Sequence, residues 1–394
     1  MKWKYASVTT PLLALAVMPS AALGQNGDPH QEPSIIDLRT PDALAAEQFT
    51  LIKGFRELPD GRIMVTDWVE QRVVVLDLAS GEVRDLGSVG GGPKEFRLPS
   101  QLIALPNDST LLVDYGNARM TVLDPSLEFV RTMPLNVHGT TWRMSPRGAG
   151  PDGTLYFSWS LWSYPNGTRA PGPRDSVEIG RWSHESGLRT VGDVRLKGSV
   201  LKAGRSSSKG LPYVAFTKQD GFAVSPDGWV AVVRSTPFRV DWYGPNGEVV
   251  QGPMKPYAPI PVSKDDLRDH IRRWLASTAT TGRGDGGGTF GLVPSSEQSA
   301  DVIEDRASKA TYEKEFPPFV PTGVWAPAPG VVWVQRWLPE HSVPTFDVFD
   351  RNGVRRTLVS LPRDRRIIGF GRDAVYATVA DEDDLLTIER YPLP

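Results

Sequence analysis

Residues 58–77 read Leu58-Pro59-Asp60-Gly61-Arg62-Ile63-Met64-Val65-Thr66-Asp67-Trp68-Val69-Glu70-Gln71-Arg72-Val73-Val74-Val75-Leu76-Asp77. A Pro-Asp-Gly turn opens an apolar run, a short polar connection follows, and a second apolar run ends on an acid. That is the pattern of two antiparallel strands. It returns from Leu105-Pro106-Asn107-Asp108 through Leu112-Val113-Asp114 and Arg119 to Leu123-Asp124, with Asp to Arg and Arg to the next Asp again five residues apart. Asp67 and Asp114 are separated by 47 residues, a period that suits four-stranded propeller blades.

Weaker copies follow. The third opens at Pro151-Asp152-Gly153 and closes at Ile179-Gly180-Arg181-Trp182; the fourth runs from Pro226-Asp227-Gly228 to Val240-Asp241-Trp242-Tyr243. The fifth runs from Pro329-Gly330 to Asp347-Val348-Phe349-Asp350, and the sixth from Arg372-Asp373 to Leu386–Tyr391, where the chain stops one strand short of a blade. The run Ser34-Ile35-Ile36-Asp37-Leu38 is expected to supply that strand, with the first blade's inner strand lying within Phe49–Phe55. Closing the ring in this way removes two open sheet edges. The fold expected is all-β: a six-bladed β-propeller over residues 34–394, with a helical insertion between blades four and five at 251–318. A sandwich does not predict a period of this length.

The ends and the composition agree. Lys2 and Lys4 precede an apolar run, Pro11–Met18, and the small residues Ala21-Ala22-Leu23-Gly24, the pattern of a cleaved signal peptide over residues 1–24. The chain has no cysteine, which excludes disulfides, a lipoprotein anchor and thiolate metal sites. The expected location is therefore periplasmic or secreted. The 38 Gly and 35 Pro suit many short strands joined by tight turns. A net charge of -2 without charged blocks gives no nucleic-acid surface, and no apolar stretch is long enough for a membrane span. A monomer is expected.

Leu58-Pro59-Asp60-Gly61-Arg62-Ile63, Asp67 and Arg72, with the turn Gly87-Ser88-Val89-Gly90-Gly91-Gly92-Pro93-Lys94-Glu95-Phe96-Arg97-Leu98-Pro99, resemble NHL-type repeats. The later segments, Arg234–Tyr243, Trp333–Arg336 and Asp381–Leu385, are similar to exported six-bladed, NHL-like bacterial propellers. The resemblance spans nearly the whole mature chain and implies the fold, but no single activity. The third and fifth units lack the paired Asp and Arg.

In a blade of strands a to d, the a–b and c–d turns share one face, and the b–c and d-to-a connections share the other. All the short turns here fall on the first face. The long segments, Trp159–Asp175, Lys197–Pro212 and Gln251–Pro318, all fall on the second. Loops of such length, gathered at one mouth of a channel, point to a binding surface. In the longest, Ser263-Lys264-Asp265-Asp266 predicts a helix start, and Leu267, Ile271 and Trp274 a docking stripe, with Arg268, Arg272 and Arg273 solvated. A second helix is expected over about 297–315.

Trp68, Tyr115, Trp159, Trp162, Tyr164, Arg234, Arg336 and Trp337 all lie at b-strand ends or in b–c connections, and are the ligand-binding candidates. The partner expected is a small molecule or a protein at the propeller mouth. For catalysis the signal is weak. His30, His138, His184, His270 and His341 show no metal-ligand spacing, and a Gly-x-Ser-x-Gly elbow is absent. Catalytic residues and a resident cofactor are therefore not assigned. The alternatives are a lactonase-like hydrolase holding a divalent cation on Asp67, Asp114, Asn117 and Asp381, a lyase, or an envelope scaffold. The five-residue Asp–Arg spacing reads more simply as a turn bond with an ion pair inside the blade.

Overall fold

The computed structural model describes residues 32–135, 145–159, 176–197, 214–278 and 299–394. Among the described residues, six sheets are arranged as the blades of a β-propeller, with two small two-stranded sheets and two helices added. From strand a outward, blade 1 is Ile52–Glu57, Ile63–Asp67, Arg72–Leu76 and Val83–Asp85. Blade 2 is Pro99–Ala104, Thr110–Asp114, Arg119–Leu123 and Phe129–Pro134. Blade 3 comprises Pro146–Ala149, Leu155–Trp159, Ser176–Ser183 and Gly187–Lys197. Blade 4 comprises Gly221–Val224, Val230–Ser235, Phe238–Tyr243 and Val249–Gln251. Blade 5 is built from Val324–Ala328, Val331–Gln335, Thr345–Phe349 and Arg355–Ser360. Blade 6 uses Arg366–Phe370, Ala374–Ala380 and Leu386–Pro392.

The fourth strand of blade 6 is Ala43–Phe49, antiparallel to Leu386–Pro392 in the register Ala43↔Arg390 and Phe49↔Leu386. The ring is thus closed from the N-terminal side, but by a different strand from the one expected. Ser34–Asp37 instead adds a fifth, parallel strand to the outer edge of blade 5, with Ser34 opposite Thr357. Phe49 and Ala45 are buried against Ile63, Val65, Tyr376 and Ile388, and that packing selects the closing segment.

Strands b and c read as continuous apolar runs because each blade is covered on both faces. In blade 1, Ile63, Val65, Val74 and Leu76 pack toward blade 6, while their neighbours Met64, Val73 and Val75 pack toward blade 2. The two-residue alternation therefore sorts side chains between neighbouring blades rather than between core and water. The third residue of each Pro-Asp-Gly turn, Gly61, Gly153 or Gly228, has φ near +80° (+88°, +78° and +81°), which a side chain would strain. Gly54 serves close approach: a Cβ there would lie 2.1 Å from the Ser100 carbonyl oxygen of the next inner strand.

Candidate functional site

The connection from blade 4 to blade 5 carries α1 (Lys264–Thr278) and α2 (Ala300–Lys309). At the start of α1 the Ser263 hydroxyl accepts from the Asp266 N–H at 3.1 Å, and the Asp266 carboxylate accepts from the Ser263 N–H at 2.9 Å. This is a reciprocal cap. The second helix is shorter than expected. Beyond it, Thr311–Tyr312 pairs in parallel with Val214–Ala215, which ties this insertion to the preceding connection.

Leu267 and Ile271 dock α1 as read from the sequence: with Ile303, Ala215, Phe216 and Phe316 they form a buried cluster. The Trp274 side chain lies outside the description. Trp337, from the b–c connection of blade 5, packs on the same cluster, its ring centroid 5.5 Å from that of Phe216 and 6.0 Å from that of His270. The arginines of α1 are paired with acids. Arg268 donates to Glu304 of α2 at 2.6 Å and to Asp265 at 2.7 Å, Arg272 pairs with Asp269, and Arg273 with Glu340 at 2.5 Å.

His270 is held neutral in this layer. Burial, reinforced by the charge of Arg273, pushes its pKa down to about 4. The unfolded chain therefore takes up a proton near pH 6.5 that the folded chain refuses until about pH 4. The stability linked to this residue is lost as pH falls through that window, by up to about 3 kcal/mol. Thermal melts at pH 7 and pH 5 check this: His270→Phe is expected to shrink the difference between them.

The remaining candidates separate into distinct settings. Arg234 donates to Asp220 at 3.1 Å, to Asp241 at 3.2 Å and to the Tyr243 hydroxyl at 2.9 Å. Arg336 grips both oxygens of Asp347, at 2.9 and 2.8 Å. In both blades an arginine at the end of strand b meets an aspartate of strand c. Trp68 and Tyr115, from the b–c connections of blades 1 and 2, come together as a half-buried pair with centroids 6.1 Å apart. Trp159 ends its strand, but its side chain, with Trp162 and Tyr164, lies outside the described residues.

The suggested metal ligands are occupied by the fold. Asp67 accepts from the N–H groups of Thr50, Leu51, Val69 and Glu70 at 2.6–3.4 Å. Asp114 does the same for Arg97, Leu98 and Asn117, and also accepts from the Asn117 amide at 2.7 Å. Asp381 receives the N–H groups of Asp383 and Leu385 and the Gln48 amide. Among the described residues, groups of three or more His, Cys, Asp or Glu placed to hold a metal are absent. A divalent cation does not fit this donor set. The Asp–Arg ion pair expected from the five-residue spacing forms in blade 2, Arg119 to Asp114 at 3.9 Å, but is absent in blade 1, where Arg72 pairs with Glu47 and Asp85 because Asp67 is already engaged by N–H donors.

Polar residues that sequence reasoning passed over line the mouth itself. Lys53, Gln101 and Arg147 stand near the insertion-face ends of three consecutive inner strands. A cleft of about 480 Å³ bordered by Lys218, Pro237, Phe238, Met254 and Tyr257 lies beside the b–c turn of blade 4. Among the described residues, helices long and apolar enough to cross a membrane are absent.

No family model matches the sequence, and no curated protein matches it. Solved structures resemble it at low identity. A gluconolactonase of Xanthomonas campestris is 14% identical, with 88% of this chain and 87% of the other covered and a TM-score of 0.43. A Bacteroides fragilis protein described as exported is 12% identical, covering 92% and 100%, with a TM-score of 0.47. Virginiamycin B lyase of Staphylococcus aureus is 12% identical, covering 89% and 98%, with a TM-score of 0.38.

Proposed function

We propose that this protein is an exported, non-catalytic binding propeller that captures a small molecule or a protein segment on the face carrying the long insertions. The observation that carries the reading is the Trp68–Tyr115 pair. Two large amphipathic rings from separate blades meet at the mouth, where they remain only half-buried. Such rings contribute large contact area at low entropic cost. The engaged states of Asp67, Asp114 and Asp381 favour binding over metal-assisted hydrolysis. Trp68→Ala is expected to remove at least nine-tenths of any small molecule or protein that co-purifies with the native protein, as read by mass spectrometry, while the circular dichroism spectrum is unchanged. Undiminished retention in that variant contradicts the reading.

A further inference from the structure

The six inner strands are the walls of the central channel, and their charges are lopsided. Between them they carry Lys53, Arg56, Arg147 and Arg366 against one acid, Glu57. Two of these five are committed at the turn-face end. Arg56 donates to the Asp108 and Ser109 carbonyls and to the Thr110 hydroxyl. Glu57 accepts from the Tyr376 hydroxyl at 2.6 Å and the Arg372 N–H at 2.9 Å. Lys53, Arg147 and Arg366 remain, each the first or second residue of its strand, and so at the insertion-face end.

Lys53 and Arg147 occupy equivalent irregularities. The pairing of strands a and b shifts between Ile52 and Gly54 in blade 1, and between Pro146 and Gly148 in blade 3, leaving Lys53 and Arg147 as the extra residues. A bulged residue leaves the alternation between blade faces and re-aims its side chain. Both side chains are reached by solvent, and both lack a carboxylate partner among the described residues. Enclosure by protein nevertheless pushes the pKa of each below its ordinary value. The Arg147 guanidinium is steadied 5.7 Å from the Phe222 ring centroid. On the strand between them, Gln101 donates to the Ser145 hydroxyl at 3.4 Å, while its carbonyl oxygen is buried without a partner.

We propose that the channel mouth binds the oxyanion of a small acidic ligand, a carboxylate or a phosphate, through Lys53 and Arg147, with Trp68 and Tyr115 taking its apolar part. The assignment rests on the reading of this face as the binding face. Two solvent-reached cations without a carboxylate partner among the described residues favour an anion and repel a metal ion.

Isothermal titration of the full chain in low salt with phenyl phosphate, benzoate, benzyl alcohol and inorganic phosphate tests this. Saturable 1:1 binding of phenyl phosphate or benzoate is expected, and which of the two binds tighter distinguishes phosphate from carboxylate. Lys53→Gln and Arg147→Gln are each expected to weaken that binding at least tenfold with Tm little changed, since neither cation holds a carboxylate among the described residues. Benzyl alcohol should bind weakly and equally to all variants. The proposal is overturned if neither aromatic oxyanion binds, or if both Gln variants retain the wild-type Kd. It is equally overturned if inorganic phosphate binds as tightly as phenyl phosphate and is indifferent to Trp68→Ala, which means an adventitious ion only. Aromatic binding that is lost in Trp68→Ala but unaffected in both Gln variants removes the oxyanion site while leaving the binding face; the opposite pattern does the reverse.

Discussion

Deleting residues 1–49 is expected to abolish cooperative folding, whereas deleting residues 1–41 leaves a folded ring. The longer deletion removes Ala43–Phe49, the strand that pairs with Leu386–Pro392 and completes blade 6. It takes away the buried side chains of Ala45 and Phe49, exposes Ile63, Val65, Tyr376 and Ile388, and leaves a three-stranded blade with an open edge. Truncating one buried Phe costs about 3–5 kcal/mol, and the lost ladder and loop closure add to that against a total stability of about 5–15 kcal/mol. The shorter deletion removes the exposed strand Ser34–Asp37 and the buried Leu38 from the rim of blade 5, without opening the ring. Urea unfolding followed by circular dichroism, with limited proteolysis, separates the two: a sharp transition for the shorter deletion and none for the longer.

Asp114→Ala is expected to be the most damaging single substitution among the turn acids. Its carboxylate is fully buried and receives three backbone N–H groups and one side-chain amide, which fasten the start of strand a to the b–c connection. The methyl group leaves three backbone N–H donors without their acceptor, that of Leu98 in a buried position, while the Asn117 amide keeps only its bond to the Gly90 carbonyl at 2.9 Å and a long contact to Glu95. The loss is roughly 3–5 kcal/mol, by analogy with removing one partner of a buried ionic network. The midpoint of urea denaturation should fall accordingly. By contrast, Asp265→Ala, which removes one side of an exposed pair with Arg268, should cost less than about 1 kcal/mol.

The period, the turn face and the number of blades were legible because they rest on residues whose constraint is local. Pro-Asp-Gly turns need a glycine at positive φ, and the b and c strands need apolar side chains toward both neighbouring blades. The closing strand was not legible. Ala43–Phe49 reads Ala-Leu-Ala-Ala-Glu-Gln-Phe, rich in helix formers, whereas Ser34-Ile35-Ile36-Asp37-Leu38 looks more like a strand. Pairing with the C-terminal strand overrides that propensity. The second helix stops early for a similar reason, because Thr311–Tyr312 is drawn into pairing with a segment about a hundred residues away.

Within the site, position along the blade was legible and partnership was not. Trp68 and Tyr115 were marked by their place after strand b, and they do meet. Arg234, Arg336 and Trp337 share that place, but Asp241, Asp347 and Phe216 engage them through contacts that short-range spacing does not reveal. Lys53 and Arg147 carried the opposite difficulty. Each is a lone cation in an unremarkable inner strand, and only the bulge, seen once the pairing register is known, takes it out of the blade's alternation. The available signal was the charge sum over all six inner strands rather than any single motif.

The insertion face, and not the turn face, is expected to be the working surface. Because the chain has no cysteine, one introduced thiol gives one defined label. Glu70→Cys places it in the b–c connection of blade 1, and Ser80→Cys in the c–d turn of the same blade, both at exposed positions. Native mass spectrometry of each protein after coupling to a bulky polyethylene glycol maleimide reads occupancy by co-purified molecules and by added phenyl phosphate. The label at residue 70 is expected to remove the bound mass while the label at residue 80 leaves it in place; full occupancy with residue 70 blocked, or loss only with residue 80 blocked, contradicts a working insertion face.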